Sequence, residues 1–103
     1  MAAPDLDELI HAPTRLAIVA LLAATEWAEF KFIRDQIELS DSALSKQLTT
    51  LEAAGYVEIR KRFVGKRPQT SARLTRRGRA AFRRHVAALQ AIVAPTGESV
   101  LPG

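Results

Sequence analysis

The chain has 103 residues, 48% hydrophobic and 25% charged, with no cysteine. That is enough for one domain with one core and too few for two. Disulfides, thiolate zinc sites and thiol redox switches are excluded. The longest apolar stretch, Leu16 to Ala24, is far too short to cross a bilayer, and Met1 to Asp7 carries two aspartates and no cation, the wrong chemistry for a secretory leader. The expectation is a cytoplasmic protein with no membrane partner.

The net charge of +4 is very unevenly spread. Between Arg60 and Arg84 lie eleven of the 15 basic residues and none of the 11 acidic ones, so this segment carries +11 and the remainder −7. Clustered cations gain affinity for a polyanion by releasing its condensed counterions, although a solvated arginine-rich face would have the same composition. What precedes the segment decides between the two.

Leu6, Leu9 and Ile10 recur at helical spacing behind Asp5, an N-cap candidate, with Asp7 and Glu8 suiting the first turn. Pro13 opens a second helix whose apolar run Leu16, Ile18, Val19, Leu21, Leu22 is too dense for one face, so it should be buried on most sides. Glu26 to Phe30 reads as a short extended piece. A third helix from Lys31 to Ile37 follows, with Phe32, Ile33 and Ile37 as its stripe. Ser40, Asp41 and Ser42 are capping residues for a fourth, in which Leu44, Leu48 and Leu51 repeat at helical spacing before Gly55 supplies a left-handed C-terminal cap. Two short helices joined by a tight turn form a helix-turn-helix pattern.

After Gly55 the period becomes two. Val57, Ile59 and Phe63 fall on one face of a strand and Glu58, Arg60 and Arg62 on the other; Val64 to Pro68 turns; Thr70, Ala72 and Leu74 alternate with Gln69, Ser71 and Arg73 in a second strand. Thr75 caps a last helix with Phe82, Val86, Leu89 and Val93 as an apolar seam of coiled-coil type, and Pro95 ends it. The domain is expected over residues 1–94, with 95–103 as a flexible tail. The fold class is α+β: a mainly helical winged helix-turn-helix with a β-hairpin wing.

The run from Ser42 to Val57 (SALSKQLTTLEAAGYV) resembles the recognition-helix signature of MarR- and ArsR-type bacterial and archaeal transcription regulators. The runs His11 to Leu16 (HAPTRL) and Val64 to Thr70 (VGKRPQT) are similar to a compact MarR-like group, and the likeness extends over Leu6 to Val93. It implies a homodimer joined through its terminal helices on pseudo-palindromic operator DNA, with the second helix of the motif in the major groove and the wing at phosphates or the minor groove. The chain is shorter than typical MarR proteins, whose longer terminal helices help build a ligand cavity, and it lacks the cysteine pairs of many metal-sensing ArsR proteins. The resemblance therefore carries over neither an effector nor a metal.

Helical phase gives the same assignment independently. With Leu44, Leu48 and Leu51 buried, Ser42, Lys46, Thr49 and Thr50 face away and Ser45 and Gln47 flank them. Hydroxyls can meet base edges or phosphates, Gln47 can pair with adenine, and the methyl groups of Ala43 and the threonines suit thymine. Arg60, Arg62, Lys66 and Arg67 are the candidate phosphate contacts on the hairpin. An ordinary solvent-facing helix beside a charge-protected edge hairpin is the plain alternative. Arg76, Arg77, Arg79, Arg83 and Arg84 remain unassigned between solvent, DNA and the acidic N-terminal half.

The dimer interface is expected at Leu6, Leu9, Ile10, Phe82, Val86, Leu89 and Val93. His11 and His85 stand outside any metal-binding array and are expected at the surface or an interface, while Trp27, Phe30 and Phe32 read as core rather than an effector pocket. No cofactor, metal or catalytic constellation is expected. The function expected is a sequence-specific DNA-binding transcription regulator; the alternatives are a module that docks an acidic partner and a sequence-indifferent nucleoid protein.

Overall fold

The computed structural model describes residues 6–94. Its elements in order are α1 (Glu8–His11), α2 (Pro13–Ala23), β1 (Ala28–Glu29), α3 (Phe30–Ile37), α4 (Asp41–Ala53), β2 (Val57–Val64), β3 (Arg67–Leu74) and α5 (Arg76–Val93). The three strands form one antiparallel sheet in the order β1-β3-β2, with Ala28 opposite Ala72 and Val57 opposite Leu74. This is the expected α+β winged helix-turn-helix. The tail expected at 95–103 lies outside the described residues.

The core is supplied by every layer: Ile18, Val19 and Leu22 of α2, Ile33 of α3, Leu44, Leu48 and Leu51 of α4, and Ala28, Val57, Ala72 and Leu74 of the sheet. The leucine spacing on α4 therefore does set its buried face. Ser40 caps that helix, its Oγ accepting the Ala43 N–H at 3.1 Å. At the other end Gly55 takes φ +80°, which lets the Tyr56 and Gly55 amides return to the Leu51 and Glu52 carbonyls at 3.0 and 2.9 Å. In the turn of the motif Glu38 closes α3 in the left-handed region, φ 62°, a conformation that costs an L-residue about 1–2 kcal/mol. Arg34 braces this turn, donating to Asp35 at 3.0 Å and to Asp41 at 2.9 Å.

Several expectations change on contact with tertiary structure. Asp7 rather than Asp5 caps α1, accepting from the Leu9 and Ile10 amides; Asp5 lies outside the described residues. Phe32 is 45% exposed, so the inward stripe of α3 reduces to Ile33 and Ile37. On α5 the buried stripe is Gly78, Ala81, His85 and Ala88, one step round from the apolar seam. Small residues win there because they let the helix approach closely: a Cβ on Gly78 would stand 2.1 Å from the Tyr56 carbonyl oxygen.

His85 is fully buried, against the expectation of a surface or interface position. Its Nδ1 accepts the Asp7 amide at 3.1 Å, which leaves its proton on Nε2, facing Nδ1 of the exposed His11 at 3.4 Å. The Asp7 carboxylate meanwhile accepts the Tyr56 hydroxyl at 2.6 Å. That hydrogen bond, then burial and the aspartate charge, hold the Tyr56 phenol above its ordinary pKa. One N-terminal turn is thus tied to α5 and to the start of β2.

Candidate nucleic-acid interface

α4 presents Ser42, Ser45, Lys46 and Thr49 to solvent, on the side opposite its buried leucines. Ala43 and Thr50 are half-buried, and the Thr50 hydroxyl is turned back onto the Lys46 carbonyl at 3.0 Å. Gln47 departs from expectation: it is half-buried, and its Oε1 accepts from Nη1 of Arg15 at 3.0 Å. Arg15 also donates its Nε to the Leu9 carbonyl at 2.6 Å. On the flank of the exposed face, the Gln47 side chain therefore ties α4 to α2 and, through Arg15, to α1.

Register decides which cations of the hairpin share a side with α4. Residues directly opposite in an antiparallel pair project to the same face. The pairs Val57–Leu74, Ile59–Ala72 and Lys61–Thr70 thus define the inner face, and Glu58–Arg73, Arg60–Ser71 and Arg62–Gln69 the outer one. A groove of about 440 Å³ runs between α4 and the inner face, lined on one side by Ser45, Leu48, Thr49 and Glu52 and on the other by Phe30, Ile59, Lys61 and Thr70. Lys61 was not among the sequence candidates. The signal was available, since Lys61 continues the period-two series from Val57 and Ile59, but a cation amid apolar alternation is easily passed over in favour of its arginine neighbours.

Those neighbours sit differently. The Arg60 guanidinium lies over the Trp27 ring at 4.0 Å, and its Nε is buried without a hydrogen-bond partner. Arg73 lies over the same ring at 4.7 Å and pairs with Glu58 at 2.9 Å. Trp27 is therefore in contact with two arginines and outside the core cluster, while Phe30 does pack against the core. Arg60 is a stacking residue on the outer face rather than a free phosphate contact; Arg62 is on the same face and exposed. Lys66 and Arg67 are exposed at the tip of the wing. Arg79 is spent internally, its two terminal nitrogens donating to the Ala23 and Thr25 carbonyls at 3.1 Å and so closing the C-terminal end of α2.

The expected dimer residues divide. Ile10 is fully buried, and Leu9 and Phe82, both half-buried, pack against the core. Leu6, Val86 and Leu89 are half-buried, Ile92 is 44% exposed and Val93 80% exposed. The apolar edge left open thus lies towards the end of α5. Among the described residues there is no cluster of three metal-ligating side chains, and no helix is long and apolar enough to cross a membrane.

Residues 14–93 match the model of a family described as a winged helix DNA-binding domain. The chain is 32% identical over 79 residues to an uncharacterized protein of Methanocaldococcus jannaschii, covering 77% of this chain and 86% of that one. It superposes on a transcriptional regulator homologue of Pyrococcus horikoshii with a TM-score of 0.79 at 26% identity, covering 84% and 86% of the two chains. The YusO protein of Bacillus subtilis has the same fold, with a TM-score of 0.77 at 21% identity over 86% of this chain and 62% of its own.

Proposed function

The chain belongs to the winged helix DNA-binding domain family, and on that premise we propose that it is a sequence-specific transcription regulator, acting as a homodimeric repressor on pseudo-palindromic operators in the cytoplasm. The observation that carries this reading is the outer side of α4. Small hydroxyls and one lysine, Ser42, Ser45, Lys46 and Thr49, stand clear of the domain beside a groove whose far wall supplies Lys61, with Lys66 and Arg67 extending beyond it. A convex helix of short polar side chains enters a major groove, and cations to one side of it meet phosphates. Residues 1–94 serve as the DNA-binding and dimerisation unit, with the Leu89, Ile92 and Val93 edge of α5 as the contact between copies. No cofactor, metal or catalytic step is required.

Selection of bound duplexes from a random pool at fixed salt tests the proposal, because a sequence-indifferent nucleoid protein and an acidic-partner module both return no preferred motif. Thr49→Ala should change the selected motif and cost about 1–3 kcal/mol on the matched duplex; Arg67→Ala and Lys61→Ala should weaken all duplexes alike and reduce the salt slope by about one unit each. Motif changes confined to the wing variants would reverse the division of labour.

A further inference from the structure

We propose that the hollow between the outer face of the hairpin and the first turns of α5 is a binding site for a small, multiply charged anion of the oligophosphate class. The hollow is about 420 Å³, within the usual range for small-ligand sites, and Arg73, Arg76, Arg79 and Arg83 line it together with Leu74 and Thr75. Glu58 is the one carboxylate in its lining, and Arg73 holds it with both Nε and Nη2 at 2.9 Å. Arg79 contributes charge, its terminal donors being committed to α2.

Arg76 and Arg83 are exposed, and among the described residues neither pairs with a carboxylate. They lie seven residues apart, two helical turns, and so project on the same side of α5. These cations repel one another, and Arg76 also meets the positive end of its helix, whose first turn contains no acidic residue. A bound anion reverses the sign of that interaction. Guanidinium groups match phosphate oxygens in pairs, so several of them around one hollow favour phosphates carried in series over a single charge. The site is separate from the DNA groove, because Glu58 and Arg73 project from the sheet face opposite Lys61 and Thr70.

The experiment is isothermal titration of the full chain with inorganic tripolyphosphate at about 0.1 M salt, against the double variant Arg76→Ala/Arg83→Ala and the wing-tip variant Arg67→Ala. Both removals are at exposed positions, and circular dichroism confirms the folds. The expected result is saturable binding of one ligand per chain, weakened at least about tenfold in the double variant and unchanged in Arg67→Ala. Equal loss in all variants, or no saturable binding by the wild type, overturns the site. So does a double variant that loses affinity for duplex DNA while the wild type ignores tripolyphosphate, since these arginines would then be duplex contacts.

Discussion

Replacing Gly78 by alanine opposes two effects of different sign, and the structure says which should win. In an exposed helix interior the change stabilises by about 1 kcal/mol, because glycine loses more backbone freedom on folding. Here the new Cβ would meet the Tyr56 carbonyl oxygen at 2.1 Å and its carbonyl carbon at 3.0 Å. Ordinary contact begins near 3.4 Å, so α5 must withdraw from Tyr56, the residue before β2, by about 1.3 Å. Both partners are backbone and have no alternative rotamer. The withdrawal also strains the Thr75 N–H bond to the same carbonyl, 3.0 Å long.

Overpacking of this kind costs about 1–3 kcal/mol, and the lost hydrogen bond about 1 kcal/mol more. Net of the helix gain, a loss of about 2 kcal/mol is expected, a fall in Tm of about 8–16 °C for a domain of this size. Thermal and urea denaturation followed by circular dichroism, at one protein concentration so that association does not confound the comparison, measures it. Gly65→Ala is the control: φ is +66° there with nothing within 4 Å of the added carbon, so only conformational strain of about 1 kcal/mol remains. A Gly78→Ala protein as stable as the wild type would show that the α5–β2 junction is not close-packed and would refute the steric argument.

Tyr56→Phe removes the hydroxyl bond to Asp7. Because the folded phenol titrates above its unfolded value, the stability it contributes is complete below pH about 10 and disappears as pH rises through the folded pKa, so wild-type and variant Tm values should converge at strongly alkaline pH. Ser40→Ala should cost about 1 kcal/mol through loss of the α4 cap, read as a lowered urea midpoint with unchanged slope. Val93→Lys should lower the dimer fraction in sedimentation without lowering the stability of the monomer, since the side chain is 80% exposed and contributes nothing to the core. A wild-type protein that sediments as a monomer at micromolar concentration would remove the proposed interface.

Local periodicity was enough for the helix-turn-helix, because the leucines at 44, 48 and 51 and the caps at Ser40 and Gly55 act within one or two turns. It failed where a side chain's partner is remote. Gln47 has the right phase to flank a groove, but Arg15, 32 residues away, claims its oxygen. Arg60 has the right charge and the right strand, but Trp27 lies beneath it. On α5 the larger apolar residues suggested the seam, whereas the burial follows Gly78, Ala81, His85 and Ala88, none of which carries a strong hydrophobic signature in sequence. Lys61 shows the reverse case, a residue correctly placed by strand alternation yet missed because its neighbours carried the same charge.

The attachments of α1 bear on how this molecule opens. Asp7 holds the Tyr56 hydroxyl, its amide rests on His85, and the Leu9 carbonyl takes the Arg15 guanidinium that in turn holds Gln47 on α4. A chain terminus ordinarily frays at almost no cost, and its amides exchange with solvent far faster than those of the interior. Here, releasing the first turn strips anchors from α5, from the residue that leads into β2 and from α4. The amides of Leu9, Ile10 and His11 should accordingly exchange in step with those of α4, as members of one cooperative unit, and removing the Arg15 guanidinium should uncouple their rates.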